Sequence, residues 1–157
     1  MPDDRIIDIT LDEGSLASSI PEVAHERAVA IYDLLEENSF IPIGDFSGPY
    51  AVHLSIEDAN RLAFHIANAD REPLHKITMG LMPFRRIIRD YFRICESYFD
   101  AIKRMTPSQI ETIDMARRGL HNEGSEILID RLREKVTLDM DTARRLFTLL
   151  CVLHFKG

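Results

Sequence analysis

Tryptophan is absent from this 157-residue chain, cysteine occurs twice, and there are only four lysines against fifteen arginines. Two isolated cysteines make no disulfide framework and no CxxC pair for a metal or a redox dithiol. Cys95 and Cys151 fall inside apolar helical patterns and read as small buried hydrophobes of a reducing compartment. No apolar run nears the ~20 residues needed to span a bilayer. A phosphate-binding glycine loop, a nucleophile elbow and an HExxH pair are all missing, which removes the familiar nucleotide, hydrolase and zinc-protease sites. No strand interleaves aromatic and basic side chains as an RNA platform does. The opening Met1-Pro2-Asp3-Asp4 is acidic where a secretory signal is basic, so the expected compartment is the cytoplasm.

What is present is the composition of a globule: 45% hydrophobic and 29% charged residues. A chain of this length can bury roughly two-thirds of its unfolded surface, so a single domain over residues 1–157 needs no disulfide or metal. The net charge of −7 argues against general nucleic-acid binding. That charge is uneven. Residues 1–60 hold 13 acids against Arg5 and Arg27 alone, whereas residues 61–157 hold 17 bases and 13 acids. An acidic half packing on an arginine-rich half explains this, as does a basic half that recognises a partner or an anion.

Ile7, Ile9 and Leu11 alternate with Asp8 and Thr10, which predicts a strand. Residues 21–38 take helical period, with Ser19 as cap and Pro21 in the first turn. Residues 39–49, with two prolines and two glycines, read as a linking loop. Three strands follow as a meander, on Val52, Leu54 and Ile56, then Leu62, Phe64 and Ile66, then Ile77, Met79 and Leu81. The remainder is helical. One helix opens at Pro83 and runs to about Arg104, and a second, capped at Thr106-Pro107, ends at or bends through Gly119. Ser125 caps a third segment to about Lys135, and Asp139 or Asp141 starts a last helix, apolar nearly all round from Leu146 to Phe155 and therefore buried on every side, centrally in the first reading or across a dimer interface in the second. The expected fold is α+β, a four-stranded mainly antiparallel sheet of the N-terminal strand plus the three-strand meander, covered on one face by four to five helices.

Several polar residues stand where apolar ones are cheaper. Arg27 projects from the centre of an arc made by Val23, Ile31, Leu34 and Leu35, with Glu26, Asp33, Glu36 and Glu37 opposite. A guanidinium there is either tied to an acid of the core or lines a pocket for an anion. In the helix after Pro107, Asp114, Arg117 and His121 share the side of Ile110, Ile113 and Leu120, at spacings that meet on one face. Gly119 and Gly124 bracket His121-Asn122-Glu123, so a sharp turn presenting those side chains is expected. His121 is then the acid or base, Glu123 or Asp114 its carboxylate, and Arg117 the anion holder, with Arg118 and Asn122 completing the ligand-binding candidates. The competing reading is a hydrogen-bonded network that joins helix to sheet.

Three arginine pairs, Arg85-Arg86, Arg117-Arg118 and Arg144-Arg145, open or occupy helices, where guanidinium forks suit phosphate or neighbouring acids equally. Arg85, Arg86, Arg89 and Arg93 fall on a polar arc opposite Phe84, Ile88, Tyr91, Cys95 and Phe99, a solvated or acid-facing surface. If Ile56 pairs with Leu62, His53 and His65 sit directly opposite each other on the outer sheet face. The adjoining strand offers Thr78 or Lys76 and no third ligand, so no metal site is expected. Ala51, Ala63 and Ala67 make that face flat, suited to a partner or a second subunit.

The runs His25-Glu26-Arg27-Ala28-Val29-Ala30-Ile31, Pro83-Phe84-Arg85-Arg86-Ile87, Ile113-Asp114-Met115-Ala116-Arg117-Arg118-Gly119-Leu120-His121-Asn122-Glu123-Gly124 and Asp141-Thr142-Ala143-Arg144-Arg145-Leu146-Phe147-Thr148-Leu149 resemble, together and in order, the alphaproteobacterial uncharacterised protein family numbered two hundred and sixty-two. The resemblance implies a bacterial cytoplasmic protein and carries no activity, cofactor or catalytic residue. The residues themselves point first to a small binding or regulatory protein that recognises a protein or an anionic small molecule through Arg27, Arg117 and His121. A homodimer is compatible with this reading, and no cofactor or membrane is called for. An acid–base enzyme on His121 and Glu123 is the alternative, and RNA binding through the arginine-rich helices the third.

Overall fold

The computed structural model describes residues 3–12 and 21–154, with backbone only for 21–23. The elements run β1 (Ile6–Leu11), α1 (Pro21–Glu36), β2 (Phe40–Pro42), β3 (Tyr50–Glu57), β4 (Arg61–Ala67), β5 (Pro73–Gly80), a 3-10 turn (Met82–Phe84), α2 (Arg85–Arg104), α3 (Pro107–Leu132), β6 (Val136–Leu138) and α4 (Met140–His154). The four main strands stand in the order β1-β3-β4-β5.

This α+β sheet is mixed. The meander β3-β4-β5 is antiparallel as its alternation predicts, but β1 pairs β3 in parallel. Parallel strands need a long crossover, and α1 lies in the connection from β1 to β3. The register shifts between Ile6 and Asp8, so Ile6, Ile9 and Leu11 are the buried residues and Ile7 is turned partly out. The expected loop 39–49 also contains a strand: β2 pairs antiparallel with β6 as a separate two-stranded sheet. Two three-residue strands are too short to show a period, and only the meeting of distant segments reveals them.

Helix α1 stops before Asn38 for a reason visible in its side chain. Asn38 Nδ2 donates to the carbonyls of Leu34 (2.8 Å) and Ile6 (2.9 Å), while its Oδ1 accepts from Ile6 N–H (2.7 Å). One amide thus closes the helix and extends the edge of β1. The Ser19 cap lies outside the described residues.

Helix α3 is one unbroken helix, where a sharp turn around Gly119 and Gly124 and a new start at Ser125 were expected. Its N-terminus is a reciprocal capping box between Thr106 and Gln109. Gly124 persists inside it because a Cβ there would come within 2.3 Å of the Phe147 ring, so the glycine lets α3 and α4 approach closely. Ser125 is fully buried and its hydroxyl donates back to the His121 carbonyl (2.8 Å), which removes the need for a cap. Asp139 caps α4, accepting from Thr142 N–H at 3.0 Å.

The core joins the inner sheet face (Val52, Leu54, Phe64, Ile66, Ile77, Met79) to the helices. Helix α4 is central, in contact with α1, α3 and β3, and it buries Leu146, Phe147, Leu149, Leu150, Cys151, Val152 and Leu153. Phe155 lies outside the described residues. Both cysteines are free and buried, and burial pushes the Cys95 thiol up to about 11 and Cys151 upward too, so both stay protonated.

Candidate functional site: an arginine-lined cleft between four helices

The helices leave an open cleft of about 340 Å³ between them. α1 contributes His25, Glu26, Val29, Ala30 and Asp33, α2 contributes Tyr91, α3 contributes Arg117, Arg118 and His121, and α4 contributes Arg144, Arg145 and Thr148. The α3 and α4 walls repeat one pattern: an arginine pair followed, three residues after its second member, by a polar side chain. Those two side chains meet across the helix pair, His121 Nε2 to Thr148 Oγ1, at 2.8 Å.

This contact defines the state of the imidazole. Thr148 donates its hydroxyl proton to the Arg144 carbonyl (3.2 Å), so its oxygen accepts from Nε2–H and the Nδ1 lone pair of neutral His121 is left over. The ring is held against Tyr91 and edge-on to Phe147, with centroids 5.4 and 5.2 Å away. Burial, followed by the charges of Arg144, Arg117 and Arg145, pushes the His121 pKa down to about 4.

The two arginine pairs are satisfied to different degrees. Arg117 and Arg118 both grip Asp114. Arg117 donates from Nε (3.1 Å) and Nη2 (2.6 Å) to Oδ1, and Arg118 from Nε (2.8 Å) to Oδ2. These hydrogen bonds hold the Asp114 carboxyl below its ordinary range. Arg117 also lies 4.9 Å over the Tyr98 ring. Arg145 stands 3.8 Å from Asp33 and Arg144 stands 3.9 Å from Asp141, charge contacts too long to be hydrogen bonds. Glu26, half-buried on the α1 wall, makes no hydrogen bond or ion pair among the described residues. Burial raises its pKa against the pull of Arg117 and His25.

Of the residues singled out from sequence, Arg117, Arg118 and His121 line this cleft, and Asp114 braces the two arginines from beside it. Arg27 and Asn122 are half-buried, Glu123 is exposed, and none of the three lines it. Because α3 is continuous through this stretch, His121 and Glu123, two residues apart, leave the helix on different sides. Glu26 and Asp33, placed by periodicity on the side of α1 opposite its apolar arc, face the cleft, and His25, Tyr91 and Thr148 join them. The equal spacing of Arg117-Arg118…His121 and Arg144-Arg145…Thr148 was the signal for α4, whereas nothing local marks Glu26.

A second, larger cleft of about 500 Å³ lies on the outer sheet face. The Ile56–Leu62 register holds, and it sets His53 opposite His65, ring centroids 5.8 Å apart. Each ring is tied to a hydroxyl: His53 Nδ1 to Thr10 (2.6 Å) and His65 Nε2 to Ser55 (3.0 Å). Arg71 pairs with Asp8 (2.7 Å) and Lys76 with Glu57 (2.8 Å). Ala63 and Ala51 are buried, and Ala51 and Ala67 line the cleft, so this part of the face is concave where a flat one was expected. No group of three or more His, Cys, Asp or Glu side chains among the described residues could hold a metal ion. No helix of the described residues is long and apolar enough to cross a membrane.

Against known proteins, the model of an uncharacterised protein family, UPF0262, matches residues 3–156. The chain belongs to this family. It is 56% identical over 155 residues to UPF0262 protein Atu0536 of Agrobacterium fabrum, covering 99% of this chain and 98% of the relative. It is 58% identical over 153 residues to UPF0262 protein amb3341 of Paramagnetospirillum magneticum, with 98% and 97% covered. A UPF0262 protein of Sphingopyxis alaskensis is 57% identical over 157 residues, with 98% and 94% covered. No solved structure matches. UPF0262 membership extends across alphaproteobacteria and assigns no activity, so any functional reading rests on the cleft itself.

Proposed function

We propose that this chain is a single-domain binding protein of the cytoplasm whose helical cleft takes a small anionic ligand. The observation that carries the reading is the pair Arg144 and Arg145, two guanidinium groups in a concave site with only 3.8–3.9 Å charge contacts to occupy them among the described residues. Arg117 and Arg118, braced by Asp114, add positive potential from the facing helix. Guanidinium forks aimed into a cleft suit a carboxylate or phosphate in bidentate geometry. The two buried thiols accord with a reducing compartment.

Acid–base catalysis through His121 has less support. A general base works best with a pKa near the operating pH, and His121 at about 4 is far below neutrality. Glu123, its intended partner, lies off the cleft.

Thermal unfolding in inorganic phosphate or citrate, at ionic strength matched with sodium chloride, tests the binding reading. A ligand present at about a hundred times its Kd stabilises by about 2.7 kcal/mol, an increase of roughly 5–10 °C for a domain of this size. Wild type is expected to gain this shift, and the Arg144→Gln/Arg145→Gln double variant to lose most of it while melting close to wild type in chloride. Equal shifts in both proteins, or none in wild type, overturn the reading.

A further inference from the structure

The cleft has two walls of opposite character, and the polar groups left open on them are complementary. On the α4 wall Arg144 and Arg145 make no hydrogen bond through their guanidinium groups among the described residues. On the α1 wall Glu26 makes none through its carboxylate. Neutral His121 and Thr148, bonded to each other, lie on the same cleft and add no charge.

We propose that the occupant is a small zwitterion, whose carboxylate or phosphate is taken by Arg144 and Arg145 and whose ammonium group is taken by Glu26. This rests on the anion-binding reading and narrows it to a ligand class. A simple dianion entering the cleft brings negative charge toward a half-buried carboxylate, and like charges at short range oppose binding. An ammonium group turns that repulsion into a charge-assisted hydrogen bond. Its positive charge also offsets the desolvation that raises the Glu26 pKa. Glu26 therefore acts as the specificity element, and the arginines as the anchor.

Matched probes that differ by the ammonium group decide the matter. Calorimetric titration near neutral pH compares glutamate with glutarate, and phosphoethanolamine with ethyl phosphate, so the two arms also separate a carboxylate from a phosphate end. The ammonium-bearing member of at least one pair is expected to bind at least about tenfold more tightly, the effect of one hydrogen bond to a charged group. Glu26→Gln is expected to erase that preference without weakening glutarate or ethyl phosphate. Equal or tighter binding of the simple anions overturns the zwitterion and leaves the anion reading standing. A preference unchanged in Glu26→Gln overturns the assignment to Glu26. If none of the four probes binds, the zwitterion fails, and the phosphate and citrate shifts decide separately whether the anion reading falls with it.

Discussion

On the outer face of the sheet, Thr10 holds His53, Ser55 holds His65, Asp8 holds Arg71 and Glu57 holds Lys76, all within 3.0 Å. Between the helices, Glu26, Arg144 and Arg145 hold nothing at hydrogen-bond distance among the described residues. The sheet cleft is the larger, about 500 against about 340 Å³, and most of its charged and polar groups are already closed on one another, with His75 stacked on Phe46. Room for a ligand and reason to bind one are thus separate properties. A buried or half-buried polar group without a partner costs free energy that a ligand can recover, and a satisfied network offers nothing to recover.

The contrast can be broken at the helices first. Gly124→Ala forces a Cβ against the fully buried Phe147 ring, and such overpacking costs about 1–3 kcal/mol. The melting temperature should fall by roughly 2–12 °C, and anion binding should weaken because α3 and α4 no longer meet at the same distance. An unchanged melting temperature would mean that the helical cleft is more plastic than the sheet.

Next is the pH response. His121 has a folded pKa of about 4 against an ordinary 6.5, so the unfolded chain binds its proton more readily. Stability from this group is fully present above about 6.5 and is lost as pH falls toward 4. Wild type should lose stability across that window more steeply than His121→Gln. Parallel curves from denaturant melts at several pH values would remove the buried neutral imidazole from the description.

Asp114→Asn strands Arg117, three-quarters covered at 26% side-chain exposure, and should cost about 1–2 kcal/mol by chemical denaturation. The folded carboxyl lies below its ordinary pKa, so its contribution is present above about 3.8 and vanishes as pH drops through the folded value. On the sheet, Ser55→Ala removes one buried hydrogen bond and should cost about 1 kcal/mol. If Ser55→Ala is free of cost, the sheet network is not satisfied in the sense argued above. Smallest, and of opposite sign, Gly119→Ala meets no atom within 4 Å and should stabilise α3 by about 0.5–1 kcal/mol. That two glycines five residues apart respond in opposite directions would separate helix propensity from packing.

Much of the fold was legible because its signals are local. The alternation in the meander predicted both the strands and the facing of His53 and His65. The all-round apolar run at the C-terminal end predicted a central helix, and α4 is buried nearly throughout its length. The break expected at Gly119-Gly124 fails because glycine permits a turn without requiring one, and the capping box at Thr106 together with packing on Phe147 carries the helix through. Asn38 stands in helical period yet ends the helix, since its amide finds Ile6, 32 residues away.

The candidate site divides along the same line. Asp114, Arg117 and Arg118 are three and four residues apart on one helix, so their nearness was legible in the helical period, as were the strands of the meander and the core of α4, although Asp114 grips the two arginines rather than serving His121 as expected. Chain packing alone sets Asp33 of α1 beside Arg145 of α4, turns Glu26 into the same cleft, joins β1 to its sheet in parallel, and keeps His121 neutral beside Thr148. The difference is one of range: helical and strand periods are set by neighbours within a turn or a pleat. A cleft is set instead by how closely helices far apart in the chain can pack, here at a glycine against a phenylalanine ring.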